Sequence, residues 1–71
     1  MLKNLTSIRR ARGLTQEQLA AMADCSLSAI SWYENNTHTP LLTTAVRIAS
    51  ALDCTIDELV SPVERNDNHA A

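Results

Sequence analysis

Glycine, proline and phenylalanine are scarce in this chain: one glycine, two prolines and no phenylalanine stand among 71 residues. That scarcity excludes architectures rich in hairpins and strands, whose turns draw on Gly and Pro and whose ladders draw on aromatic and β-branched residues. Thiols are few as well. Cys25 and Cys54 have no second cysteine or histidine at metal-ligand spacing, so no zinc site or disulfide framework is expected. Long apolar runs are missing too, whereas a bilayer span needs about 20 consecutive apolar residues. No secretory segment is apparent, and a cytoplasmic protein with reduced thiols is expected. Positive charge is also short, since the net charge is −2, which argues against binding nucleic acid through bulk charge alone.

What is present suits helix. Ala, Leu, Ile, Arg and Gln recur in runs, and 45% of the residues are apolar. The length admits one small domain, because an ordinary core already draws on about 100 residues. Leu2, Leu5, Ile8 and Arg12 recur at helical spacing before Gly13, predicting a first helix over roughly 2–12 that closes on a left-handed glycine. Thr15 and Gln18 fit a capping box for a second helix over about 16–23, with Leu19, Ala20, Met22 and Ala23 as its buried stripe. Asp24 sits where a positive φ would end that helix. Ser26 can cap a third helix through to Asn35, which Asn35 and Asn36 would terminate.

Residues placed about 100° apart around that third helix set Ala29, Ile30, Tyr33 and Glu34 on one side. Leu27, Ser28, Ser31, Trp32 and Asn35 fall on the other, with no evident core to pack on. A polar loop, 36–40, follows, in which His38 is expected to be solvated. Leu42, Ala45, Val46, Ala49 and Leu52 give the period of a fourth helix over about 41–52. Thr55 and Glu58 offer a second capping box and open a short fifth helix to Leu59 or Val60. Residues 61–71 are polar and unpatterned, predicting a disordered tail after a folded domain of 1–60. The expected architecture is all-α with five helices.

Two segments echo one another. Ala23-Asp24-Cys25-Ser26-Leu27 and Leu52-Asp53-Cys54-Thr55-Ile56 each pair a helix end with an Asp able to turn left-handed, a small residue and a hydroxyl cap. Both cysteines are expected to plug helix corners rather than react. Charge is uneven as well: Lys3, Arg9, Arg10 and Arg12 lie near the N-terminus without an acid, while Asp53, Asp57, Glu58, Glu64 and Asp67 face only Arg65.

Two short helices joined by Asp24-Cys25-Ser26, the first rich in small residues and the second with an unpacked face, meet the needs of a helix-turn-helix. Arg9, Gly13-Leu14-Thr15-Gln16, Gln18-Leu19-Ala20, Ser26, Ile30, Glu34-Asn35, Pro40, Ala49, Leu52 and Leu59 together resemble the phage repressor and Cro family, the XRE-type helix-turn-helix. The resemblance covers about residues 2–60. It implies a compact lambda-repressor-like domain that binds operator DNA, usually as a dimer, without catalysis. The family usually has Gly where Asp24, Asn36 and Asp53 stand, and a hydroxyl residue where Leu41 stands, so a cap for the fourth helix must come from Thr39, Thr43 or water.

The resemblance also implies roles. The third helix enters the major groove, so Leu27, Ser28, Ser31 and Trp32 become candidate base contacts; the leucine and tryptophan would meet thymine methyls. Gln16 is a candidate contact to an outer base pair or a phosphate, or else a plain first-turn residue. Lys3, Arg10, Arg12, Asn35, Thr37 and Thr39 are candidate phosphate contacts, the last three equally readable as turn chemistry. Arg9 and Glu34 commonly form a partly buried ion pair in the family. With about two to four charged phosphate contacts per monomer, log affinity would fall with log salt at a slope near −2 to −4 per monomer. Specific binding would then need two copies about 34–36 Å apart on a roughly palindromic site. Leu59, Val60, Pro62 and Val63 offer an apolar end for such pairing.

Three functions compete at this level. The first is a DNA-binding transcriptional regulator, in the simplest case a repressor acting by operator occupancy as a homodimer. The second is a protein-interaction module of the same fold that binds another regulator through Leu27 and Trp32. The third, an enzyme, has no nucleophile beside a base, no phosphate-cradling glycine loop and no metal constellation behind it. No cofactor, small-molecule ligand or membrane partner is suggested.

Overall fold

The computed structural model describes residues 2–60 and consists there of five helices and no strand. These are α1 (Leu5–Ala11), α2 (Gln16–Met22), α3 (Leu27–Glu34), α4 (Leu42–Ala51) and α5 (Ile56–Val60). The expected tail, with Pro62 and Val63, lies outside the described residues. Among them, no helix is long and apolar enough to cross a membrane.

The helix ends explain why helices this short hold their places. At its start, α2 carries the full capping box: Thr15 Oγ1 accepts from the Gln18 amide, and the Gln18 side chain accepts from the Thr15 amide. A second box joins Thr55 and Glu58 at the head of α5, where the Thr55 hydroxyl also bonds the Glu58 carboxylate at 3.3 Å. Ser26 Oγ accepts from the Ala29 amide and starts α3.

The first four helices all stop the same way. Gly13, Asp24, Asn36 and Asp53 have φ of 73°, 59°, 60° and 55°. After each, the next residue's amide reaches back to the carbonyl five residues earlier: Leu14 to Arg9, Cys25 to Ala20, Thr37 to Trp32 and Cys54 to Ala49. This closure satisfies helix-end carbonyls that would otherwise be orphaned.

Two arginines complete the echo between the cysteine-bearing corners. Arg47 Nε donates to the carbonyl of Ala23 at 3.0 Å, and Arg12 Nε donates to the carbonyl of Leu52 at 2.7 Å. In each case a cation sits on the C-cap carbonyl at the end of a helix, where the backbone dipoles leave partial negative charge. Burial pushes both cysteine thiols up from their ordinary value, against partial compensation from Arg47 at Cys25 and from Arg12 at Cys54. They pack at the core's edge, half-buried and unpaired.

Leu2, Leu5, Leu19, Ile30, Ile48, Leu52 and Leu59 form the fully buried centre. Around it α2 packs on α3 and α4, α1 packs on α3 and α5, and α4 packs on α5. The N-terminal edge differs from expectation. Asn4 gives its amide to the Leu59 carbonyl and its side-chain nitrogen to the Glu58 carbonyl, so residues 2–4 form a turn clamped to α5 and the helix begins only at Leu5.

Three expected core residues are not buried. Met22 is 55%, Leu42 71% and Val46 50% exposed. In α2 the buried sector is set by Leu19, Ala20 and Ala23, and Met22 points about 100° away from its centre. In α4 the core takes Ala45, Ile48, Ala49 and Leu52, an i, i+3, i+4, i+7 row that leaves Leu42 and Val46 on its flank. Leu41 opens that helix as an N-cap without a side-chain hydrogen bond. Leu59 is fully buried and belongs to the core, which removes it as a contact surface.

Candidate nucleic-acid interface

The corner between α2 and α3 is built from small residues. Ala20, Ala23 and Ala29 are buried where the two helices meet, so the backbones can approach closely, and Asp24 turns the chain between them. Ile30 is the fully buried anchor of α3. With Ala29, Ile30 and the Glu34 side chain inside and Tyr33 half-buried, the opposite face of α3 is left outward: Leu27, Ser28 and Asn35 are exposed, Ser31 is half-buried, and Trp32 is 45% exposed.

A polar network fixes α3 against the rest of the domain. Arg9 Nε donates to Glu34 Oε2 at 2.6 Å and Arg9 Nη2 to Glu34 Oε1 at 3.3 Å, while Arg9 Nη1 donates to the Leu14 carbonyl at 2.8 Å. Both side chains are at least nine-tenths buried. Gln16 Nε2 donates to Glu34 Oε1 at 2.8 Å, and the Thr6 hydroxyl adds a further hydrogen bond. Burial by itself would push the Glu34 carboxyl up; the hydrogen bonds from Arg9, Gln16 and Thr6 and the Arg9 charge outweigh it and hold the group below the usual carboxylate range. The network joins α1, the start of α2 and the end of α3.

Above this network lies an open depression of about 800 Å³, lined among others by Arg10, Gly13, Thr15, Gln16, Leu27 and Asn35. It gathers Gln16, Arg10, Leu27 and Asn35, four of the candidates named from sequence, on one side of the molecule. Gln16 reaches it with one N–H of its amide bonded to Glu34, which leaves the second N–H and the carboxamide oxygen for an incoming acceptor or donor.

Other candidates are placed differently. The Arg12 guanidinium lies on α4, bonded to the Leu52 carbonyl at 2.7 Å and the Asp53 carbonyl at 3.4 Å. Thr37 is bound to α3 through its hydroxyl and its amide, both on the Trp32 carbonyl. Thr39 is exposed in the loop, as are Lys3 and Arg10 in the N-terminal segment. His38 is exposed but has a companion that sequence reasoning missed: its ring stacks on Trp32 with centroids 4.5 Å apart. The signal for it was the Asn35-Asn36 reversal, which sends the next residues back along the helix. Arg47 was also missed, and nothing in its local sequence marks its bond to Ala23.

Comparison with known proteins agrees with this geometry. The sequence model of the helix-turn-helix family matches residues 5–59. Over 61 residues the chain is 34% identical to an uncharacterized HTH-type transcriptional regulator, y4dJ, of Sinorhizobium fredii (strain NBRC 101917 / NGR234), a match that covers 86% of this chain and 79% of that protein. Among solved structures it is similar to the restriction-modification controller protein C.AhdI from Aeromonas hydrophila. That likeness has a TM-score of 0.75 at 33% identity and covers 78% of this chain and 83% of the other.

Proposed function

The chain belongs to the helix-turn-helix family, and from that membership we propose that it is a DNA-binding transcriptional regulator, a repressor that occupies its operator as a dimer. One observation carries the reading: the Arg9–Glu34–Gln16 network holds α3 rigidly while Leu27, Ser28 and Trp32 face outward from it. A helix pinned on its inner side and open on its outer side can enter the major groove without rearranging. Ser28 and Ser31 would bond base edges, Leu27 and Trp32 would meet thymine methyls, and Gln16 would reach an outer base pair or phosphate. Arg10, Asn35 and Thr39 would meet phosphates. Such work needs no catalytic group.

Dimerisation is supported by charge and by surface. Arg9, Arg12 and Arg47 each hydrogen-bond within the protein, so few cations are left to hold one half-site firmly. Leu41 is 75% exposed and, with Leu42 and Val46, forms an apolar flank at the start of α4. A leucine at an N-cap gives up the hydrogen bond that Ser or Asp would supply. A surface leucine kept at that cost suits an interface, and an isologous pairing would set this flank against its copy.

Selection from a random duplex pool tests the reading. Enrichment of a two-fold symmetric site with half-sites about one helical turn apart is expected. A second reading, docking to another regulator through Leu27 and Trp32, is favoured by the net charge of −2 and by the exposed indole. Absence of any shift with mixed genomic fragments at low salt would favour it.

A further inference from the structure

The loop after α3 folds back onto the helix it has just left. Asn36, at φ 60°, reverses the chain. The Thr37 amide and hydroxyl then bond the Trp32 carbonyl at 3.0 and 3.2 Å. The next residue, His38, lays its imidazole on the Trp32 indole, centroids 4.5 Å apart and planes inclined by 30°, with Nδ1 3.2 Å from Thr37 Oγ1. Pro40 is buried and anchors the far end of the loop. Backbone and side chain of one residue, Trp32, are thus gripped by two consecutive residues, Thr37 and His38.

We propose that His38 is a positioning residue for base reading: by stacking on Trp32 it fixes the orientation of the indole that α3 presents, and so sets base preference at the position Trp32 reaches. The proposal rests on the reading of α3 as the groove-entering helix. Its physical basis is rotational freedom. A tryptophan 45% exposed on the outer face of a helix can turn about two side-chain torsions, and an indole averaged over several rotamers discriminates poorly between base edges. A ring held by a hydrogen-bonded loop removes that averaging before DNA arrives, a form of preorganisation.

The contacts hold the imidazole from two sides: its face lies on the indole and its Nδ1 is within hydrogen-bond distance of Thr37 Oγ1, itself bonded to the Trp32 carbonyl.

The test uses the full chain in three forms: the parent, His38→Ala and His38→Phe. Trp32→Ala in the duplex selection first locates the base position that depends on the indole. His38→Ala should lower preference at that position by roughly threefold, the scale of a stacked aromatic pair, with binding to mixed sequence at low salt unchanged. His38→Phe, which keeps the ring and loses the nitrogens, should restore the preference. Trp32 is the one tryptophan of the chain, so time-resolved fluorescence anisotropy of the DNA-free protein reports the same constraint. It should gain a fast local component in His38→Ala and lose it again in His38→Phe. An unchanged selection profile in His38→Ala overturns the proposal while leaving the α3 reading standing. Equal weakening of all sequences in both variants also overturns it, and assigns His38 to a phosphate. If the parent enriches no sequence, the α3 reading fails and the proposal falls with it.

Discussion

Arg9 and Glu34 meet through two hydrogen bonds, the shorter 2.6 Å, in a site where both side chains are at least nine-tenths buried. Removing one partner strands the other's charge away from water, which in such pairs costs about 3–5 kcal/mol. Glu34→Ala should therefore lower the melting temperature by well over 10 °C, since each kcal/mol is worth about 4–8 °C in a domain of this size. Ser31→Ala, on the outer face, should move it by only a few degrees. Equal losses in thermal melts of the two variants would remove the pair from its structural role.

The same carboxylate makes stability depend on acid. Its folded-state value is depressed, so its contribution is complete above the unfolded value of about 4.3 and is lost as pH falls through the lower folded value. The stability gap between the parent and Glu34→Gln, read from urea unfolding, should stay level from neutral pH to about 5 and narrow below about 4.3. A gap that widened on acidification would contradict the sign.

Arg12 is a candidate phosphate contact by sequence, yet it sits on the C-cap carbonyl of α4, that of Leu52. Arg12→Ala should cost about 1 kcal/mol of stability, and Arg47→Ala a similar amount at the matching corner. Unchanged melting of Arg12→Ala alongside weakened DNA binding would return the residue to the backbone-contact set.

Asp24 and Asp53 hold left-handed backbone that glycine adopts without strain. Asp24→Gly and Asp53→Gly should each raise stability by about 0.5–1 kcal/mol, the gain being net of the freer unfolded chain. Because they occupy separate corners, the double variant should show the sum. Differential calorimetry of the three proteins checks both statements.

Leu41→Ser should separate two properties. The hydroxyl supplies the missing cap and should stabilise the monomer by about 1 kcal/mol. Loss of the exposed leucine should at the same time weaken self-association, measured by sedimentation, and binding to a two-half-site duplex. An intact dimer would move the contact surface away from the α4 flank.

Much of this was legible because it is local. A capping box needs four consecutive residues, and Thr15-Gln18 and Thr55-Glu58 announce themselves. Left-handed ends are announced by Gly, Asn or Asp beyond an apolar stripe. The outward face of α3 followed from helical angles alone. Periodicity fixes the angle between side chains but not which sector a neighbour covers, so it points Met22, Leu42 and Val46 inward and does not single out Ile48. The bonds of Arg12 to Leu52 and of Arg47 to Ala23 span 40 and 24 residues, distances at which sequence carries no geometric signal. Leu59 read as surface because nothing before the fold told that α5 returns to the N-terminal turn. The Arg9–Glu34 pair was expected through family resemblance and through the placement of a charge on an inner face.

Asn4 grips the carbonyls of Glu58 and Leu59, bonds that bridge up to 55 positions of chain and bring the first and last described segments side by side. Anything fused before residue 2 or after residue 60 would therefore emerge from one common spot. A short linker across that gap should yield a circular permutant reopened in the loop between α3 and α4, with its chain order changed and its α1–α5 seam kept whole.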